Sequence, residues 1–169
     1  MPDASSYRPP GRALHLLTRA LDRPLTPVCW PPARVAVVDV ERQRLLWIED
    51  GALAAEYAIS TSAAGIGGEV DTGRTPPGWH RVHAKIGGGA ASGTVFRSRE
   101  ATGELWRGAA SDEDLILTRV LTLEGLEPGV NAGPGCDSLE RYIYLHGTNQ
   151  EDRLGTALSH GCVRLANRG

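Results

Sequence analysis

Residues 34–60 read RVAVVDVERQRLLWIEDGALAAEYAIS, and the reading of this stretch decides the class of fold. Val35–Val40 is a run rich in β-branched side chains, which suit a pleated surface. Leu45–Ile48 is a second apolar run, separated from the first by the polar Glu41-Arg42-Gln43. Asp50-Gly51 is a turn signal, and Ala54–Ser60 can return as a third strand. Short runs joined by short polar turns predict an antiparallel meander.

Upstream, Ala13–Arg23 (ALHLLTRALDR) reads as a short helix, with Leu14, Leu17 and Leu21 at spacings of three and four and Pro24 as its stop. Pro24, Pro27, Pro31 and Pro32 then mark a linker. Residues 1–33 are thus expected to be a leader with a short helix and a proline-rich linker, and residues 34–169 one domain. Downstream, Ser62–Gly73 and Gly87–Gly93 are glycine-rich loops without the spacing of a phosphate loop. They are either long connections or flaps over a site. Thr75-Pro76-Pro77-Gly78 is a tight turn. Trp79–Ile86, Thr94–Arg99, Leu115–Leu123 and Arg141–Leu145 are further strand candidates, and Leu126–Asp137 is a loop. The absence of βαβ alternation predicts a mainly β domain with antiparallel neighbours, a sandwich or partly open barrel with a short N-terminal helix.

Composition agrees with a single domain. The chain has 169 residues, 41% hydrophobic and 22% charged, enough for a core and against wholesale disorder. A net charge of -2 lacks the basic footprint of a nucleic-acid binder. No apolar run approaches the roughly 18 residues that span a bilayer. Met1–Pro10 is polar and shows no export signal. Three cysteines cannot close a disulfide framework, and no C-x-x-C spacing occurs.

The chemistry is concentrated near the end. Tyr142-Ile-Tyr-Leu-His146-Gly147-Thr148 precedes Ser159-His160-Gly161-Cys162-Val163-Arg164. A strand end is a rigid mount for an imidazole, and the two glycines allow close backbone approach. A thiol needs a base or a cation nearby to react at neutral pH. His146, sixteen positions before Cys162, can be that base if the loop folds back, and His160 is a second imidazole in range. Ser159 and Thr148 can hydrogen-bond the loop locally. Arg164 is a fixed positive charge suited to a carboxylate.

These two elements, with Thr75-Pro76-Pro77-Gly78 upstream, resemble the L,D-transpeptidase catalytic domain family, also called the YkuD domain, from about Arg34 to the end. The resemblance implies a cysteine acyltransferase that acts on bacterial peptidoglycan. Cys162 would attack the carbonyl of the third, diamino-acid residue of a tetrapeptide stem and expel D-alanine. An amine of a neighbouring stem would then resolve the acyl-enzyme. His146 would be the general base, and the Gly161 and Cys162 N–H groups the oxyanion donors. Arg164, His160, Ser159, Gly147 and Thr148 would shape the site or hold substrate. The resemblance implies no metal and no cofactor, stem peptides as partners, carbapenem-type β-lactams as inhibitors, and a periplasmic or cell-envelope location. Water as acceptor would make a carboxypeptidase, and loss of activity a silent wall-binding domain. In the family a helix and at least one strand usually follow the Cys-x-Arg element. The end at Gly169 therefore predicts a domain truncated at its C-terminus, with an exposed edge or apolar patch near Tyr142–Leu145.

The plainer readings are these. Cys29 and Cys136 are small core hydrophobes. Trp30, Trp47, Trp79 and Trp106 pack in the core rather than line a glycan groove. Arg97 and Arg99 alternate on one strand face, solvated unless they meet an acidic peptide. His80, His83, His146, His160 and Cys162 are zinc-ligating types, but His80 and His83 lie on a predicted strand, where i and i+3 face opposite ways.

Overall fold

A computed structural model describes residues 9–23, 32–109, 111 and 113–168. Helix α1 spans Gly11–Leu21. The meander follows as β1 (Arg34–Asp39), β2 (Arg44–Glu49) and β3 (Ala52–Ala58), antiparallel in the order β1-β2-β3. Its registers run from Arg34↔Glu49 to Asp39↔Arg44 and from Arg44↔Ala58 to Glu49↔Ala52. The second sheet has six strands: β4 (His80–Ile86), β5 (Thr94–Arg97), β6 (Glu100–Leu105), β7 (Ile116–Gly125), β8 (Tyr144–Thr148) and β9 (Val163–Leu165). The order is β6-β5-β7-β8-β9, with β4 also paired to β7. The expected mainly β architecture holds, as two open sheets.

Four local expectations are corrected. The helix begins at Gly11, and its inward face is Ala13 and Leu17, flanked by Leu16, Ala20 and Leu21, while Leu14 is exposed. Strand β6 went unrecognised because EATGEL is polar and exposed along its whole length. Strand β8 starts three residues later than expected, since Tyr142 adopts φ 58° and interrupts the run. Strand β9 is three residues long, below any periodicity, and it pairs with β8 in parallel.

The helix is held against the meander by burial and by charge. Ala13 and Leu17 pack with Val37, Leu46, Ile48 and Trp79. The Trp79 indole N–H donates to Ala20 O at 3.1 Å. Arg12 grips the buried Asp39 carboxylate in a two-pronged pair at 2.6 and 2.7 Å, and holds it below its ordinary pKa. Between the sheets, Leu45, Ile59 and Val163 pack with Leu145 and Leu165. The same interior contains a cavity of about 1180 Å³, bordered by Val35, Val37, Trp47, Leu121 and Leu145.

Strand β8 is not a free edge. It is paired to β7 on one side and β9 on the other. The backbone of Arg164 on β9 in turn exchanges hydrogen bonds with Ser60 at 3.0 and 2.9 Å. Among the described residues β8 therefore has no free edge, while Tyr142 ahead of it is exposed and the inner face of β8, at Leu145, borders the cavity.

Candidate active site

Alternation along β8 and β9 places the reactive side chains. Leu145 and Val163 are register partners and both enter the inter-sheet core. Successive residues of a strand face opposite ways. Tyr144 and Cys162 therefore lie on the other face, where they pack with Phe96 and Val120. His146 and Arg164, also register partners, fall on that same face. The fifteen intervening residues, 147–161, are thus folded back so that His146, Arg164 and Cys162 share one surface of the sheet.

The imidazole of His146 is buried at 5% exposure, between Val120 of β7 and Arg164 of β9. Its Nδ1 lies 2.7 Å from Gly147 O. A carbonyl only accepts, so Nδ1 carries the proton and Nε2 keeps its lone pair. Burial lowers the pKa of His146, a shift opposed by the Gly147 hydrogen bond. The ring is accordingly neutral at pH 7, the form a general base requires. Gly147 must be glycine, because a Cβ there would lie 2.3 Å from Asn167 Oδ1 and 2.8 Å from Leu117 O. Thr148 is fully buried and helps shape the turn, its carbonyl accepting from Asn167 Nδ2 at 2.7 Å and its hydroxyl from Gln150 N–H.

The thiol of Cys162 rests in a backbone niche. Its Sγ accepts from Tyr144 N–H at 3.4 Å and donates to Tyr142 O at 3.4 Å. The hydrogen bonds of the sulfur thus run to the two tyrosine backbones rather than to an imidazole. Burial pushes the thiol up to about 11, opposed by the Tyr144 N–H and by the charges of Arg164 and Arg141, while Asp114 adds to the rise. Both groups are neutral at pH 7, a thiol and an imidazole on one face of the sheet rather than a preformed ion pair.

The nucleophile loop is built by its own motif. Ser159 Oγ donates to Cys162 O at 2.6 Å and accepts Gly161 N–H at 3.3 Å. Gly161 has φ 127°, and Thr75 Oγ1 donates to its carbonyl at 2.9 Å. The upstream Thr75-Pro76-Pro77-Gly78 turn therefore clamps the loop directly. The two expected oxyanion donors differ in how they are occupied. The Gly161 N–H is already committed to Ser159, whereas Cys162 N–H makes no hydrogen bond among the described residues. Loop 62–73 is also tied down, through Ser62 Oγ to Gly73 O at 2.6 Å and through Arg141, whose guanidinium donates to the carbonyls of Gly67, Gly68 and Arg74.

Arg164 is 3% exposed, with its guanidinium on Asp114, on Gln150 Oε1 at 3.1 Å and on Leu158 O at 3.2 Å. His160 is open, its Nδ1 3.4 Å from the same Asp114 carboxylate. Sequence reasoning missed Asp114. The signal was indirect: a buried arginine needs a counter-charge, and Ser111-Asp112-Glu113-Asp114 is an acidic run ahead of a strand. The remaining histidines lie elsewhere, with His80 Nε2 on Ser138 Oγ at 2.9 Å and His83 beside Glu124. Cys136 is buried, its thiol on Ala132 O. Cys29 and Trp30 lie outside the described residues.

A buried neutral imidazole with a pinned tautomer thus shares a sheet face with a thiol in a strand-loop niche. Residues 33–168 match the family model of the L,D-transpeptidase catalytic domain, and the chain belongs to that family. Comparison with curated proteins gives no match. Among solved structures, it is similar to an L,D-transpeptidase from Mycobacterium smegmatis at 20% identity, over 79% of this chain and 49% of that one, with a TM-score of 0.43. L,D-transpeptidase 3 from Mycobacterium tuberculosis, in complex with a faropenem-derived adduct, aligns at 14% identity over 80% and 52%, with a TM-score of 0.46. The LD transpeptidase LdtMt1, in complex with imipenem, aligns at 16% identity over 79% and 50%, with a TM-score of 0.43. The chain thus spans about half the length of these structures.

Proposed function

We propose that this domain is a peptidoglycan L,D-transpeptidase with Cys162 as nucleophile and His146 as general base. The observation that carries the reading is the shared sheet face of His146 and Cys162, with Gly147 holding the imidazole as a neutral base. The thiol turns from Tyr142 O toward His146 and gives its proton to Nε2 as sulfur attacks the third-residue carbonyl of a tetrapeptide stem. The developing oxyanion meets Cys162 N–H. Collapse breaks the peptide bond, and the D-alanine amine leaves with the proton from His146. An acceptor amine then attacks the thioester and passes a proton to His146, which returns it to the departing sulfur.

Ser159, Gly161 and Thr148 shape the loop and strand end, and Arg164 is held inside the site rather than offered to substrate. No metal and no cofactor enter these steps. Stem peptides lie outside the cytoplasmic membrane, so the cell envelope is the place of action. No helix among the described residues is long and apolar enough to cross a membrane.

Incubation with purified muropeptides followed by mass spectrometry tests the reading. Loss of D-alanine with a cross-linked product is expected. Loss of D-alanine without cross-linking would make the domain a carboxypeptidase. No turnover and no carbapenem adduct would make it a silent wall-binding domain.

A further inference from the structure

A peptide donor that ends in D-alanine brings a carboxylate to within a few bonds of the scissile carbonyl. Arg164, the motif cation, cannot receive it, being buried and closed by Asp114. Arg141 is likewise occupied, by three loop carbonyls. Among the described residues a further guanidinium stands beside the thiol niche. Arg99 lies 4.5 Å above the ring of Tyr142, the residue whose carbonyl takes the Cys162 thiol. It lies 5.5 Å from the ring of Tyr144, the residue whose N–H meets the sulfur.

Arg99 is mounted at a cost. It was expected on a strand, but it occupies the two-residue turn between β5 and β6, where Ser98 has φ 47° and Arg99 has φ 71°. Such turns favour Asn-Gly or Gly-Gly, because both central residues need the left-handed region. Tyr142, its stacking partner, is itself at φ 58° and is 56% exposed. A bulky residue in that region is a true outlier, and such strain concentrates where function needs it. Two strained residues stacked on each other at the lip of a nucleophile are therefore informative.

The donors of Arg99 are only partly used. A guanidinium carries five N–H groups. Nε donates to Tyr144 Oη at 2.9 Å and Nη2 to Leu139 O at 2.6 Å, which leaves Nη1 and one hydrogen of Nη2. Among the described residues Arg99 has no carboxylate partner, whereas its strand neighbour Arg97 pairs with Glu113. The structure presents an aligned, half-buried cation without an anion. We propose that Arg99 binds the terminal carboxylate of the acyl donor, and so selects donors that end in a free carboxylate. This rests on the transpeptidase reading above.

The test compares a tetrapeptide donor having a free C-terminal carboxylate with the same donor amidated. Arg99→Gly is the informative variant, because glycine suits the turn and removes the guanidinium. Hydrogen bonds to charged groups are strong enough that kcat/KM for the free acid should fall about 10–100-fold, with the amide nearly unchanged. Arg99→Lys should lie between, keeping charge but not the planar fork. An equal loss on both donors would show that Arg99 only holds Tyr142 and Tyr144, and would overturn the proposal, as would no loss at all. If wild-type protein turns over neither donor, the transpeptidase reading fails separately. Alkylation of Cys162 by iodoacetate relative to iodoacetamide then decides the matter: a ratio lowered by Arg99→Gly supports anion binding, and an unchanged ratio rejects it.

Discussion

The first sheet and the second sheet handle charge and strain in different ways. In the first, Arg34–Glu49 and Arg44–Glu56 pair at the surface, the buried Asp39 is met by Arg12 from the helix, and positive φ at Gln43 and Asp50 falls in the connecting turns. Its interior is an apolar layer under α1, with Ile48 at 0% exposure. The second sheet buries an imidazole and a guanidinium in mid-strand register. It also carries left-handed Thr118 on β7 and left-handed Arg99 and Tyr142 beside the niche of the thiol, while bulges occur in both sheets, in the pairings of β7 with β4 and β8 and at Trp47/Ile48 of β2. The contrast separates a scaffold from a working surface. One sheet stabilises, and the other spends stability on placing polar groups.

The largest effects should therefore come from the second sheet and be read as chemistry. Cys162→Ala should abolish the covalent carbapenem adduct, whereas Cys29→Ala/Cys136→Ala should retain one adduct per chain on Cys162. Peptide mapping that locates the adduct on Cys29 or Cys136 would overturn the assignment. His146→Ala should slow acylation by about 10²–10⁴-fold, as expected for loss of a general base. The ring is buried, so a stability loss of about 1–3 kcal/mol should accompany it, larger than a cleft-lining imidazole would cost. A stopped-flow acylation assay with a parallel urea titration separates the two.

The first sheet should show the reverse. Ile48→Ala should lower stability by about 2–5 kcal/mol through the cavity it leaves, with acylation by the folded fraction unchanged. A matched fall in acylation rate would break the division between the sheets. A smaller effect is expected at Asp114, whose charge raises the Cys162 thiol. Asp114→Asn should move the pH profile of Cys162 alkylation to lower pH and speed alkylation at neutral pH by a few fold, while leaving Arg164 without its counter-ion. A profile unmoved by this change would detach Asp114 from the site.

The smallest effect is in the pH dependence of folding. His146 is held below its ordinary 6.5 by burial, so the unfolded chain binds a proton that the folded chain does not. Its contribution is present above pH 6.5 and is lost as pH falls below that value. Asp39 is held below its ordinary 3.8 by Arg12, so its contribution is lost only on further acidification. Cys162 is raised from 9.0 to about 11, and its contribution is lost as pH rises across that window. The fall in urea midpoint from pH 7 to pH 5 should thus shrink in His146→Gln, whereas Asp39→Asn should lower both midpoints alike and leave the difference unchanged.

Much of the scaffold was legible because local chemistry specified it. Val35–Val40, Leu45–Ile48 and the Asp50-Gly51 turn impose a meander whatever surrounds them. Strand β6 was not legible, since an exposed polar edge strand is defined by its partner β5 rather than by its own pattern. The motif residues His146 and Cys162 could be named from their neighbours, but their working groups could not. The availability of Cys162 N–H depends on which donor Ser159 captures, and the tautomer of His146 on where Gly147 O points.

The chain alone thus determined the meander, the family and the identity of the thiol and imidazole, because each follows from short-range pattern or from a motif. Tertiary structure alone decided which cation is closed and which is open. Asp114 lies fifty positions from Arg164 and neutralises it, while the Ser98–Arg99 turn stacks Arg99 against a tyrosine forty-three positions away. Such pairings depend on how β5, β7, β8 and β9 are ordered in one sheet. Strand order is settled by burial and register over the whole domain, which no local stretch of residues encodes.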